Sequence, residues 1–179
     1  MQKIFRNDDI NPNSNFDDIR KMYGIIKSYF PDAVIYSAVN VMSQTSENKS
    51  PYKKIKTNEI DFTGIDRVID LKDLQGLENI VSHGLFHIDH RNSDVQLWKM
   101  SILASCQILK TNIFVPPFLR KNRDIRKFCN KHNIKILGID DGEWINLDNN
   151  KIKKDHDLYC FHSWRTTPDE FKSRFILTE

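Results

Sequence analysis

Residues 3–42 read KIFRNDDINPNSNFDDIRKMYGIIKSYFPDAVIYSAVNVM, and this stretch decides the fold class. Lys3 to Asn7 is a short strand candidate that runs straight into the pair Asp8-Asp9. Asn15 to Phe30 then carries Ile19, Met22, Tyr23, Ile26 and Phe30 at helical spacing. Ser14 or Asn15 can cap this helix, Asp17 and Asp18 complement its dipole, and Pro31 stops it. Ala33 to Met42, rich in Val, Ile and Tyr, reads as a second strand. Strand, helix and strand in this order form a βα unit, which points to a parallel sheet.

The alternation continues outward. Further strand candidates are Arg67–Leu71, Asn79–Ser82, Ile113–Val115, Ile134–Ile139 and Leu158–Phe161. Ser93-Asp94-Val95-Gln96 is a capping box that predicts a helix with Val95, Trp98, Ile102, Cys106 and Leu109 on its core face. Arg123–His132 predicts another helix. Thr167-Pro168-Asp169-Glu170 opens the last one, which carries Phe171 and Phe175. Ser43–Thr63 is polar and reads as a long surface excursion. With no repeat and no low-complexity tract, residues 1–179 form a single expected domain.

Composition narrows the function classes. The 179 residues are 39% hydrophobic and 28% charged, with a net charge of +3 spread along the chain. Lys53, Lys54 and Lys56 make one local cluster that suits a solvated loop, so nucleic acid is not an expected partner. Cys106, Cys129 and Cys160 lack CxxC spacing and sit among apolar neighbours, which predicts buried thiols rather than disulfides or a zinc knuckle. No apolar run approaches the roughly 20 residues that cross a bilayer, so no integral membrane segment is expected. The N-terminus enters a strand at once, leaving no room for a signal peptide, and a cytoplasmic location is the expectation.

In α/β folds, sites are built at the C-terminal ends of strands. Four polar clusters fall there: Asp8-Asp9, His83 to His90, Asp140-Asp141 with Trp144, and His162. His83-Gly84-Leu85-Phe86-His87 spaces two imidazoles four residues apart, as one helical turn would present them. Two imidazoles and a carboxylate form a facial metal triad with positions open to water, which suits zinc and neighbouring metals. His90 is a possible substitute ligand or a solvent-facing residue. One of the two aspartates binds such a metal, and the other takes a proton from activated water. His162, after an apolar strand, is suited to protonate a leaving amine. Trp98 is expected in the core. Trp144 and Trp164 flank candidate site residues and can stack on a sugar.

The order of these clusters resembles that of the NodB-homology polysaccharide deacetylases, carbohydrate esterase family four. Arg6-Asn7-Asp8-Asp9 is similar to the family's first motif, His83 with His87 to its second, and Phe114-Val115-Pro116-Pro117-Phe118 to its third. His162 matches the late histidine, with Asp140 or Asp141 and Trp144 loosely echoing the acidic motif before it. The resemblance spans Phe5 to His162 and implies an α/β fold, a distorted or incomplete (β/α) barrel. It implies that Asp8 is the base, that Asp9, His83 and His87 bind a divalent metal (zinc foremost), and that His162 is the general acid. It also implies Pro117, Phe118 and Trp144 as substrate contacts, with a backbone N–H near Phe118 facing the oxyanion. Gly84 departs from the family's Ser or Thr, Val115 from its arginine, and the chain is short.

The expected reaction is removal of an acetyl group from an N-acetylated sugar or glycan precursor. Its alternatives are hydrolysis of a non-sugar amide or cyclic ureide, or a metal-binding module without turnover. Because Val115 carries no charge, Asp8 needs another partner. Arg6 lies two residues earlier on the same strand face and is the candidate. The other reading places Arg6 at the rim as a substrate-binding residue for an anionic sugar precursor.

Overall fold

The structure is a computed structural model that describes residues 2–44, 65–87, 95–119, 123–138 and 141–175. Nine strands and four α-helices are present among these residues. Strand β1 (Ile4–Ile10) is followed by helix α1 (Phe16–Tyr29) and strand β2 (Val34–Val39). Asn15 caps α1 by accepting a hydrogen bond from the Asp18 amide, with Asp17 and Asp18 in the first turn, as their residue types predict. A two-stranded antiparallel ribbon joins β3 (Met42–Gln44) to β4 (Ile65–Val68). The expected polar excursion therefore begins later than Ser43, and its remainder, with the Lys53 cluster, lies outside the described residues.

Then come β5 (Ile80–Ser82), α2 (Val95–Ile108), β6 (Ile113–Phe114), α3 (Arg123–Lys131) and β7 (Lys135–Ile136). The chain continues through β8 (Ile145–Asn146) and β9 (Leu158–Phe161) to α4 (Pro168–Lys172), which opens with the predicted capping box at Thr167 and Glu170. The capping box proposed at Ser93 lies outside the described residues. On α2, Trp98, Ile102 and Cys106 are buried with Leu109 just beyond, but Val95, the first residue of the helix, is exposed.

Seven strands form one sheet in the order β7-β6-β5-β2-β1-β9-β8, with every pairing parallel. Its two faces carry different cores. Phe5 points to the helical side, stacking on Tyr159 at 5.3 Å and on Phe175 at 6.1 Å, within the main core that α1, α2, α3 and α4 cover. The opposite face holds a smaller cluster of Ala38, Val81, Val115 and Leu137, against which Tyr36 and Trp144 pack.

That second face is concave. Arg6, on the central strand β1, touches Gly138 just after β7 and stacks over Trp144 just before β8. In a flat sheet β7 would lie four strand spacings from β1, about 19 Å, beyond the reach of any side chain. The sheet is therefore curled into an incomplete (β/α) barrel whose edges approach each other across Arg6. The three cysteines are buried and free, as expected. No helix among the described residues is long and apolar enough to cross a membrane.

Candidate metal centre

The aspartates owe their placement to a break in β1. Asn7 pairs with Ser37 and Ile10 with Val39, so β1 carries one residue more than β2 between these points. Asp9 sits in this bulge with a left-handed backbone, φ 62°. Bulges re-aim side chains. Here Asp8 stays on the concave face with Arg6, and Asp9 swings toward the histidines instead of alternating into the helical core. A non-glycine residue in this region costs on the order of 1–3 kcal/mol, which the surrounding structure must hold in place.

His83 follows β5 directly, its amide bonded to the Val39 carbonyl at 2.8 Å. The His83–His87 segment is a bent loop, not the helical turn its spacing suggested, because Gly84 adopts φ 95°. A Cβ at Gly84 would stand 3.0 Å from the Phe86 carbonyl oxygen and 3.1 Å from Ser101 Oγ, so the loop needs glycine here. Hydroxyls from elsewhere do the fixing: Ser82 Oγ accepts from the Gly84 amide at 3.2 Å, and Ser101 Oγ from the Leu85 amide at 2.9 Å. Asn40 Nδ2 donates to the His83 carbonyl at 2.7 Å, and the Asn40 amide donates to the Ile10 carbonyl at 2.7 Å, tying the histidine loop to the end of β1.

Both imidazoles meet one carboxylate oxygen. His83 Nε2 lies 3.1 Å and His87 Nε2 2.9 Å from Asp9 Oδ1. One ligand atom from each of the three residues falls within 4.8 Å of the others. His83 Nδ1 is 2.7 Å from the Val115 carbonyl, which as an acceptor claims the Nδ1 proton. A neutral His83 therefore turns the Nε2 lone pair toward a carboxylate, a repulsive contact unless a cation stands between them. Asp9 Oδ2 is buried without a hydrogen-bond partner among the described residues. Burial pushes the Asp9 carboxyl up; when both imidazoles carry a proton toward it, hydrogen bonds from His83 and His87 outweigh burial and hold it well below the usual carboxylate range. The donor set fits a divalent transition metal. His90 lies outside the described residues.

Asp8 directly precedes Asp9 on β1, and His162 approaches Asp9 from the end of β9. Arg6 Nε and Nη2 grip the two Asp8 oxygens at 2.7 and 2.9 Å. Arg6 is 0% exposed, so its side chain lies in the interior against Asp8 rather than at a solvent-exposed rim. Its guanidinium stacks 4.3 Å from the Trp144 ring centre, and a Cβ at Gly138 would collide with it. Val115 is fully buried in the concave cluster. His162 Nε2 lies 3.7 Å from Asp9 Oδ2. Burial alone would lower the His162 pKa. The hydrogen bond to Asp148 and the charges of Asp9 and Asp8 outweigh it and leave the imidazole raised above 6.5.

Asp148 was not anticipated. Its Oδ2 accepts from His162 Nδ1 at 2.6 Å, and its Oδ1 accepts from the His162 amide at 2.9 Å. The signal was available in the alternation of buried Ile145 and Leu147 with polar Asn146 and Asp148, but β8 has only two paired residues. Asp141, one of the two loose echoes of the acidic motif, accepts from the Gly138 amide, and Asp140 lies outside the described residues. Pro117 and Phe118 form a tight turn with left-handed Phe118 and Leu119, and the Phe118 ring meets His87 edge-on at 4.5 Å. Trp144 is half-buried, with the Arg6 guanidinium over its ring.

No family model matches the sequence, and no curated protein does. Solved structures do match. The peptidoglycan deacetylase PdaC from Bacillus subtilis superposes with a TM-score of 0.57 at 13% identity, covering 97% of this chain and 81% of that one. A family 4 carbohydrate esterase from Streptomyces lividans, in complex with acetate, gives 0.60 at 9% identity, covering 97% and 84%. The deacetylase-type barrel fold is thus shared along nearly the whole chain.

Proposed function

We propose that the chain is a metal-dependent hydrolase that removes the acetyl group from an N-acetylated sugar or glycan precursor. The observation that carries this reading is the meeting of Asp9, His83 and His87 beside His162, with Asp8 next to Asp9 on β1, within a fold shared with carbohydrate deacetylases. Asp9, His83 and His87 would hold the metal, zinc being the expected ion. When bound, it polarises the amide carbonyl and acidifies water.

The chain's own residues carry the protons. Asp8, oriented by both arms of Arg6, accepts the proton from the attacking water as a C–O bond forms at the acetyl carbon. His162 is kept protonated by Asp148 and gives its proton to the sugar nitrogen as the C–N bond breaks. The products are acetate and an amine, in keeping with the acetate in the Streptomyces lividans enzyme. Pro117 and Phe118 border the position of the acyl group, the strained turn holding them fixed.

The test is acetate release from N-acetylglucosamine oligomers, with and without chelator, beside a panel of small amides and a cyclic ureide. Metal-dependent acetate release from the sugars supports the reading. Turnover confined to the ureide or the small amides moves the activity to that class. Stoichiometric metal with no turnover on any of them makes the chain a binding module.

A further inference from the structure

The two tryptophans flanking the site are used in different ways. Trp144 is half-buried, with the Arg6 guanidinium on its ring and its Nε1 enclosed. Trp164 is 44% exposed, although it lies on the turn Ser163–Arg165 that directly follows His162. Its ring stands 6.0 Å from the His162 ring, nearly edge-on at 67°.

This indole is held rigidly. The Arg165 guanidinium sits 4.7 Å from its centre and also donates to Asp148 Oδ2 at 3.3 Å. Asp148 Oδ2 is the atom that accepts from His162 Nδ1. Indole, guanidinium, carboxylate and imidazole therefore form one connected chain. The Ser163 amide, bonded to Asn7 Oδ1 at 3.1 Å, ties the same turn to β1. An exposed indole held in one orientation loses little further freedom when a ligand lands on it.

We propose that Trp164, backed by Arg165, is a stacking platform for a pyranose ring, seating the sugar adjacent to the one that loses its acetyl group. An aromatic face suits the C–H face of a pyranose, whose hydroxyls remain in water around the rim. A protein partner fits less well, because the neighbours of Trp164 along the chain, Ser163, Arg165 and Thr166, are polar. The other large exposed hydrophobics, such as Met100 and Leu103, sit on other elements. The proposal rests on the deacetylase reading and gives it a substrate longer than one sugar.

The experiment is calorimetric titration of the metal-loaded Asp8→Asn protein with a β-1,4-linked tetramer of N-acetylglucosamine, repeated with Trp164→Ala and Trp164→Phe added. Acetate release by the wild-type chain is measured in parallel. Trp164→Ala should weaken binding about tenfold, the scale of one aromatic contact, and Trp164→Phe should restore most of it. Equal affinity with and without Trp164, in a chain that binds and deacetylates the tetramer, overturns the platform and leaves the deacetylase reading standing. Failure of the wild-type chain to bind or deacetylate the tetramer overturns both.

Discussion

Replacing Arg6 by alanine removes one half of an ion pair that has almost no contact with water. The Arg6 side chain is 0% exposed and that of Asp8 is 9% exposed, so screening by solvent is slight. The carboxylate left behind would be buried and unpaired, and breaking such a pair costs about 3–5 kcal/mol. For a domain of this size each kcal/mol moves the melting temperature by roughly 2–4 °C, so Arg6→Ala should melt about 6–20 °C below the wild type. Circular dichroism melts and urea unfolding measure this. Arg6→Met should fall similarly, whereas Arg6→Met with Asp8→Asn should lose less than the sum of the two, because no unpaired charge remains. Arg6→Lys should fall between, since an ammonium keeps the charge but not the two-armed grip. In turnover, a freed Asp8 should lower kcat far more than it raises KM. A loss below about 1 kcal/mol, or strict additivity in the double variant, would refute the idea that Arg6 and Asp8 act as one buried unit.

Three further outcomes are expected. The purified chain should hold about one divalent metal, and His83→Ala, His87→Ala or Asp9→Asn should each lose most of it by elemental analysis. Asp8→Asn should keep that metal and lose about 10²–10⁴-fold in kcat; an unchanged rate places the base elsewhere. Asp148→Asn should move the basic limb of the pH–rate profile to lower pH, because the His162 imidazolium loses its main support. The same linkage acts on stability. The folded pKa of His162 is raised, so its contribution is complete below the ordinary value of 6.5 and is lost as pH rises through the folded value. Urea unfolding across that window should show a drop that Asp148→Asn removes.

Much of the fold was legible because the long elements obey their periods. Helix α1 follows from its apolar spacing, its cap residue and Pro31, and strand β2 from its run of Val, Ile and Tyr. The strand-end clusters were legible for a related reason: a polar residue that ends an apolar strand in a parallel sheet has few places to go. What stayed hidden is conformational. Nothing in Asp8-Asp9 announces the bulge, since the left-handed backbone at Asp9 is imposed by its neighbours and not by its side chain. The histidine pair looked helical because four-residue spacing fits a turn, yet Gly84 bends the segment into a loop fixed by Ser82 and Ser101. Asp148 was missed because β8 is two residues long and its alternation is too brief to stand out.

The position of Arg6 follows from the incompleteness of the barrel. A sheet whose edges β7 and β8 do not pair leaves a seam, and on the concave side something must fill it. An aliphatic residue on β1 could pack there but could not orient Asp8. An arginine does both, because its flat guanidinium slides between Gly138 and Trp144 while its edge grips the carboxylate. This explains why Gly138 is glycine: φ 95° and the adjoining guanidinium both exclude a side chain. It follows that Gly138→Ala should act at a distance. The added methyl must displace Arg6, so the variant should lose stability and kcat together, while its metal content stays near that of the wild type because Asp9, His83 and His87 belong to other contacts. Loss of metal in Gly138→Ala would mean that the seam and the metal centre are one mechanical unit. Full activity would mean that Arg6 can leave the seam without releasing Asp8, and the link between barrel closure and the base would be wrong.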